Sequence, residues 1–217
     1  MRSFVSEFLG TLFLVATVVG SGIMADNLSM GNQAVALLAN AISTGAILYV
    51  LIIIFSELSG AHFNPVVSLI MFMMKKISLS DFLAYVFFQI IGGVLGAFLA
   101  HFMFEMSIIQ LSTNVRTGSS QYFSEVIAAF GLVLTILLGL KYKRESVATL
   151  VALYITAAYW FTASTSFANP AVTIARTFTD TFSGIQHSDT LPFIVAQIFG
   201  ALLAFLVFRY LSQSKSV

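Results

Sequence analysis

The hydrophobic and polar positions of this chain alternate on the scale of whole membrane spans. A helix that crosses the hydrocarbon core of a bilayer needs about 20 predominantly apolar residues. Six stretches meet this requirement, although the fifth is short: 4–24, 35–57, 81–103, 122–141, 147–163 and 189–211. The pattern therefore predicts an all-α membrane protein with six transmembrane helices and the lipid bilayer as its solvent.

Two further apolar segments, 59–74 and 164–179, are too short or too polar to span, and each contains an Asn-Pro pair. Irregular backbone at membrane depth is tolerated only where it is buried in protein or lines a water-filled cavity. We interpret both segments as re-entrant. Each is expected to hold a half-helix that begins at its proline and ends near Met74 or Thr179.

The chain also contains an internal repeat. The pair Ser6-Glu7 in the first helix corresponds to Ser124-Glu125 in the fourth, and Asn64-Pro65-Val66 corresponds to Asn169-Pro170-Ala171. Each repeat holds three spans, an odd number, so the second must be inverted relative to the first. Inverted repeats place the functional site near the midplane of the membrane. We predict one channel domain over 1–217, with repeats at about 1–104 and 122–217 and a polar linker at 105–121.

Composition strengthens the membrane assignment and excludes other classes. Hydrophobic residues make up 59% and charged residues 9% of the chain, whereas a soluble domain carries about a quarter charged residues. A net charge of +1 without a basic stripe gives no basis for a nucleic-acid partner. The chain has no cysteine, and its histidines lack metal-ligand spacing. We expect no metal, no cofactor and no enzymatic activity.

The loop cations predict the orientation. In a six-span topology Arg2, Lys75, Lys76, Lys141, Lys143, Arg144 and Lys215 all fall on one side, and Arg116 is the loop cation of the other side. Lysine and arginine are concentrated in cytoplasmic loops. A multi-pass protein of the cell membrane with both termini cytoplasmic is therefore expected. Arg2 before an apolar run could belong to a signal peptide, but Glu7 within that run favours a retained helix.

The two Asn-Pro pairs are candidates for the centre of a pore. Proline suits the first turn of a helix and asparagine suits its N-cap. Two half-helices that meet at their N-termini place about half a positive charge each at the midplane. Their asparagine amides can donate to a solute oxygen, so neutral molecules pass while ions and protons are excluded. The predicted constriction consists of Asn64, Pro65, Val66, Asn169, Pro170 and Ala171.

These paired motifs, together with the leading Ser59-Gly60-Ala61-His62-Phe63, resemble those of the aquaporin family, also called major intrinsic proteins. The resemblance covers essentially the whole chain. It implies an hourglass-shaped pore in each subunit and a homotetramer. Two positions depart from the family pattern: Val66 replaces the alanine of the first motif, and Val172 stands where the family usually has an arginine.

The resemblance also implies the positions of a selectivity filter. Counted from the two asparagines, these are Thr44, Ala157, Ser166 and Val172. All are small and uncharged, which favours a wide filter that passes water, glycerol-like polyols, urea or neutral metalloid hydroxides such as arsenite. Arg176 follows Val172 by one helical turn, and could reach the vestibule or pair with Asp180.

Three buried or loop side chains have alternative interpretations. Glu7 and Glu125 are expected to accept hydrogen bonds from loop N–H groups, with proton transfer as the alternative. His62 is expected to form a loop hydrogen bond, with pH sensing as the alternative. For the whole chain, the alternatives to a broad solute channel are a strict water channel and an ion-coupled secondary transporter. A membrane enzyme or redox carrier is less consistent, because the chain shows no convergent catalytic set.

Overall fold

The computed structural model describes residues 1–213, and the predicted position of Lys215 lies outside them. This part of the chain contains eight α-helices: α1 (Arg2–Leu28), α2 (Gln33–Ser59), α3 (Pro65–Met73), α4 (Leu79–Met103), α5 (Ser119–Tyr142), α6 (Val147–Phe161), α7 (Pro170–Ala175) and α8 (His187–Leu211). Two short 3-10 turns precede α6 and continue α7, at Arg144–Ser146 and Arg176–Phe178. The all-α architecture of six long helices and two half-helices is confirmed.

The long helices differ in length. Five of them, with 24 to 27 residues, are long and apolar enough to cross a bilayer. Helix α6 has 15 residues and a length of about 22 Å, which is less than the roughly 30 Å of a hydrocarbon core. The 3-10 turn Arg144–Ser146 extends it at its start. The predicted fifth span of 147–163 therefore ends two residues earlier, at Phe161.

Local sequence determines where α2 and α4 begin and where α2 ends. The Asn32 side chain accepts hydrogen bonds from two backbone N–H groups at the start of α2, and the Ser78 hydroxyl accepts one from Asp81 at the start of α4. Helix α2 ends at Ser59 and is capped by Gly60, whose φ of 85° lies in the left-handed region that glycine adopts without strain. The chain then turns back into the protein as the first re-entrant segment.

Close helix crossings hold the two repeats together. Helix α1 packs along α4, and α5 packs along α8. A Cβ atom added at Gly92 or Gly96 would collide with backbone of α1, and one added at Gly200 would collide with backbone of α5. Lipid supplies no hydrophobic force between helices, so their association depends on such close approach of small residues.

The half-helices α3 and α7 meet between these two pairs. Helix α3 contacts α4 of its own repeat and α8 of the other, while α7 contacts α8 and α4 in the same exchanged manner. The linker before α5 covers the segment that follows α7. There Ser112 donates its N–H to the Thr177 carbonyl at 2.9 Å, and Gln186 donates to the Asn114 carbonyl at 2.8 Å.

Candidate functional site: a pore between the half-helices

A cavity of about 600 Å³ runs between the helices and passes both asparagines. Near one mouth it is lined by Arg176 and Phe167, and near the other by Lys141 and Arg144. Helix α6 begins beside Arg144, and the loop that carries Phe167 follows its other end at Phe161. The two mouths therefore lie at opposite ends of the bundle. The stretch toward Lys141 has a largely apolar wall: Leu132, Ile136, Leu137, Leu140, Val147, Val151 and Phe208. The cavity therefore has the course of a transmembrane pore.

At its centre each asparagine caps its own half-helix. Asn64 Oδ1 accepts a hydrogen bond from the Val66 N–H at 3.0 Å. Asn169 Oδ1 accepts from the N–H groups of Ala171 at 3.0 Å and Val172 at 3.3 Å. The predicted N-caps are therefore present in both half-helices, and the amide nitrogens are left to point away from the helix ends.

The amide nitrogens join the two repeats. Asn64 Nδ2 donates to the Ala168 carbonyl at 2.8 Å, and Asn169 Nδ2 donates to the Phe63 carbonyl at 2.8 Å. An amide nitrogen carries two hydrogens. One hydrogen on each asparagine is engaged by the opposite loop, and the second is free for a solute because both side chains line the cavity.

The other motif residues lie behind the constriction. Pro65, Val66, Pro170 and Ala171 are buried and are absent from the cavity wall, whereas Val67 and Val172 line it. Val66 packs instead in an apolar cluster with residues of α5 and α8. The replacement of alanine by Val66 therefore changes packing behind the pore and does not narrow it directly.

Glu7 supports the first re-entrant loop. Its carboxylate accepts hydrogen bonds from the Ser59 hydroxyl at 2.6 Å and the His62 N–H at 3.0 Å. It also accepts from the Phe63 N–H at 2.6 Å and the Gln89 amide at 2.8 Å. These contacts agree with the bracing interpretation.

Glu125 supports the second loop in the same manner. Its carboxylate accepts from the Ser164 hydroxyl at 2.6 Å and from the N–H groups of Phe167 at 2.9 Å and Ala168 at 2.8 Å. The Gln197 amide donates to it at 2.6 Å. Both glutamates thus connect the loop before a half-helix to two long helices.

On the side of Arg176, Thr44 lines the cavity. Its hydroxyl donates to the Asn40 carbonyl at 2.9 Å and lies 3.0 Å from the hydroxyl of Tyr159. Ser166 also lines the cavity, is 3% exposed, and its hydroxyl has no protein partner among residues 1–213. Val172 contributes an apolar wall.

The prediction for Ala157 is wrong. This side chain is exposed on the outer face of α6 and does not line the cavity. The residues of α6 that do are Val147, Val151, Ile155 and Tyr159. Tyr159 comes two positions after Ala157, and two residues are about 200° around a helix. The connection from α6 to Asn169 is two residues shorter than the count from the family pattern assumes, so the pore-facing position moves to Tyr159. The four-residue spacing of Val151, Ile155 and Tyr159 was the signal available in the sequence.

Arg176 is the other residue whose position the sequence left open. It is 2% exposed, lines the cavity, and donates from Nε to the Ser183 carbonyl. Its guanidinium carbon lies 3.4 Å from the centre of the Phe167 ring. Among the described residues Arg176 makes no ion pair with Asp180, whose Oδ1 accepts instead from the Thr113 N–H at 2.8 Å and hydroxyl at 2.9 Å. The four residues predicted for the filter are uncharged, but Arg176 adds a positive charge to the cavity wall on this side.

His62 lies at the edge of the same cavity. Its Nδ1 is 3.0 Å from the Ser68 hydroxyl, and its ring packs edge-on against Tyr85 at 5.2 Å. The ring is therefore hydrogen-bonded, but its partner lies in α3 and not in the loop, as the sequence had led us to expect. Within residues 1–213 no group of three or more histidine, cysteine, aspartate or glutamate side chains is arranged to hold a metal ion.

Comparison with known proteins places this arrangement in context. A family model described as Major intrinsic protein matches residues 1–163. The chain is 55% identical over 212 residues to "Aquaglyceroporin AqpS" of Rhizobium meliloti (strain 1021), covering 98% of this chain and 91% of the relative. It is 30% identical over 215 residues to an aquaglyceroporin of Toxoplasma gondii, covering 95% and 77%.

A solved structure has the same fold. The X-ray structure of the aquaglyceroporin from Plasmodium falciparum matches with a TM-score of 0.77, covering 95% of this chain and 94% of that chain. The identity between the two is 22%. At that level the likeness concerns the architecture, namely six long helices and two half-helices.

Proposed function

Because the chain belongs to the major intrinsic protein family, we propose that it is a passive channel for glycerol-like polyols, urea, neutral metalloid hydroxides such as arsenite, and water. Proteins of this family are channels and not enzymes. The observation that carries the proposal is the cavity that passes both Asn64 and Asn169 between opposite ends of the bundle. Two of its relatives are named aquaglyceroporins, and this favours a channel for solutes larger than water.

The two asparagines account for the selection of neutral molecules. A solute oxygen at the centre accepts the free N–H of each amide, which offsets the loss of its hydrogen bonds to water. The positive N-terminal ends of α3 and α7 meet at the same place and oppose a cation. A water molecule that accepts from both amides has its hydrogens directed outward, so the donor chain that a proton would follow is interrupted at the centre.

The filter supports polyols over water alone. Phe167 and Val172 offer apolar surface, while Thr44, Tyr159 and Ser166 offer hydroxyl groups. A polyol has an apolar carbon chain and a row of hydroxyls, so both kinds of wall have a counterpart. Water has no carbon chain, so Phe167 and Val172 offer it no matching contact, whereas they can contact the carbon chain of a polyol.

Stopped-flow light scattering on proteoliposomes tests this function. Glycerol, urea and arsenite should enter faster than into protein-free liposomes, at rates proportional to their gradients and independent of Na⁺ and proton gradients. Asn169→Leu should abolish the added flux, since it removes the amide at the centre and one tie between the repeats. Passage of water with exclusion of the three larger solutes would establish a strict water channel. Flux that follows an ion gradient would establish a secondary transporter.

We also infer a homotetramer in the cell membrane with both termini in the cytoplasm. The mouth lined by Lys76, Lys141 and Arg144 carries the loop cations that favour the cytoplasmic side. The chain has no cysteine, so single cysteines at the exposed Ser119 and Ser146 can be labelled separately. A membrane-impermeant maleimide should label Ser119→Cys in intact cells and leave Ser146→Cys unlabelled; the reverse result would invert the topology. Native mass spectrometry should show four copies of the 23.6 kDa chain.

A further inference from the structure

No carboxylate within residues 1–213 contacts the buried guanidinium of Arg176. Its partners within residues 1–213 are the Ser183 carbonyl and the Phe167 ring. Removal of a charge from water is costly unless it is paired or otherwise compensated, and an ionisable side chain at membrane depth generally serves a function. The contact with an aromatic face is favourable, but it leaves the two terminal nitrogens without a protein acceptor among the described residues.

A second guanidinium lies against the same phenylalanine, although its residue does not itself line the cavity. Arg116 comes from the linker before α5, and its Nε donates to the Gly184 carbonyl at 2.9 Å. Its guanidinium carbon lies 4.9 Å from the centre of the Phe167 ring, which is thus shared by both arginines. The carboxylate of Asp189 accepts from the Arg116 backbone N–H at 2.7 Å and does not engage its guanidinium. Burial lowers the pKa of the Arg116 guanidinium, yet an arginine keeps its proton at neutral pH.

Backbone carbonyls hold the two side chains in place. Ser183 and Gly184 accept from the Nε atoms of Arg176 and Arg116, and Ser164 accepts from Arg116 Nη1 at 3.3 Å. Carbonyl groups orient a guanidinium without neutralising it. The positive charge therefore remains directed at the cavity that Arg176 and the unpaired hydroxyl of Ser166 line together.

We propose that Arg176 and Arg116 form the charge-selective element of this channel, both held against the Phe167 ring, and that Arg176 also donates hydrogen bonds to the oxygens of the passing solute. This inference rests on the proposed channel function. Arg176 supplies from one turn farther along the chain the charge and the donors that Val172 cannot provide. The two arginines repel cations at the outer mouth, before the solute reaches the asparagines.

Cation leak through proteoliposomes tests this assignment. Arg176→Met keeps a long side chain and removes the charge, and Arg209→Met is the matched control, because Arg209 also stacks on a phenylalanine but lies exposed and away from the cavity. For a monovalent cation about 8 Å away and an effective dielectric constant of about 20, loss of one charge raises permeation about thirtyfold. Methylammonium flux should therefore rise strongly in Arg176→Met, to a smaller extent in Arg116→Met, and not in Arg209→Met.

Solute flux measured on the same samples separates the two proposals. If wild type conducts glycerol but methylammonium exclusion is the same in Arg176→Met and wild type, the arginine assignment is wrong while the channel function stands. If wild type conducts no glycerol, the channel function itself fails. Arg176→Lys should restore cation exclusion but reduce glycerol flux, since it lacks the planar fork of donors. If Arg176→Met is not recovered folded, Arg176→Gln retains a donor for the Ser183 carbonyl and carries the same test.

Discussion

Replacement of Glu125 by glutamine tests whether this carboxylate braces the second re-entrant loop. Four donors converge on its two oxygens, two from the loop backbone and two from side chains. A glutamine side chain keeps one oxygen and presents an NH₂ group in place of the other. The Ser164 hydroxyl can reverse its direction, and the Gln197 amide can turn its unpaired oxygen toward the new NH₂ group. One backbone N–H, that of Phe167 or Ala168, then faces another donor and loses its acceptor.

The size of the effect follows from that lost bond. A buried donor left without a partner costs about 1–3 kcal/mol, so Glu125→Gln should destabilise the protein by about that amount. For a chain of this size each kcal/mol lowers the melting temperature by about 2–4 °C. A decrease of at least about 2 °C in the apparent melting temperature is therefore expected, together with loss of solute flux, because the loop carries Phe167 and leads into Asn169.

The single tryptophan at position 160 provides an intrinsic fluorescence signal for thermal unfolding in detergent. Glu57→Gln is the matched control, since Glu57 is exposed at the end of α2, and it should leave both melting temperature and flux unchanged. If Glu125→Gln retains the melting temperature of wild type and its flux, the carboxylate does not brace the loop. A variant with normal stability but altered proton flux would favour the proton-transfer interpretation.

Three further substitutions test other parts of the structure. Gly96→Ala should reduce the yield of folded protein, because the added Cβ would collide with the α1 backbone. Size-exclusion chromatography measures this against Gly20→Ala, whose added Cβ would make only ordinary van der Waals contacts. Val172→Arg should reduce glycerol and arsenite flux more than water flux in stopped-flow assays, since it adds bulk and a third cation to the filter; equal reductions would contradict this. Ala157→Leu should leave solute flux within about twofold of wild type, whereas Tyr159→Ala should change solute selectivity, because Tyr159 lines the pore and Ala157 does not. The opposite pattern would return Ala157 to the filter.

The sequence predicted the elements whose physical signal is local. Long apolar stretches identify spans, and an Asn-Pro pair identifies the start of a half-helix, because a cap and a missing donor act within a few residues. The paired occurrence of Glu7 and Glu125 was enough to predict loop bracing. The bonds to His62, Phe63, Phe167 and Ala168 agree with it.

The filter was predicted less well because it depends on the lengths of connections. The position of Ala157 was obtained by counting back from Asn169, and a connection shorter by two residues rotated the true position to Tyr159. The contact between Arg176 and Phe167 depends on how the chain after α7 folds back through Ser183. Neither the position of that return nor the insertion of Arg116 from the linker has a periodic signal in the sequence.

The same hydrogen-bond framework appears in both repeats, and this separates stability from selectivity. Gln89 joins Glu7 to Ser68, and Gln197 joins Glu125 to Thr173. Ser68 and Thr173 are equivalent positions, because each comes four residues after an asparagine of the constriction. These contacts lie behind the half-helices and do not involve Tyr159, Val172 or Arg176.

Because the loops are held from behind, side chains at the mouth can change without loss of the central constriction. The first loop carries His62 and the second carries Phe167, although the glutamates beneath them make matching contacts. A valine can therefore occupy position 172 while the half-helix keeps its cap. The charge of the mouth then comes from Arg176 and Arg116, which are attached to the end of that half-helix and to the linker.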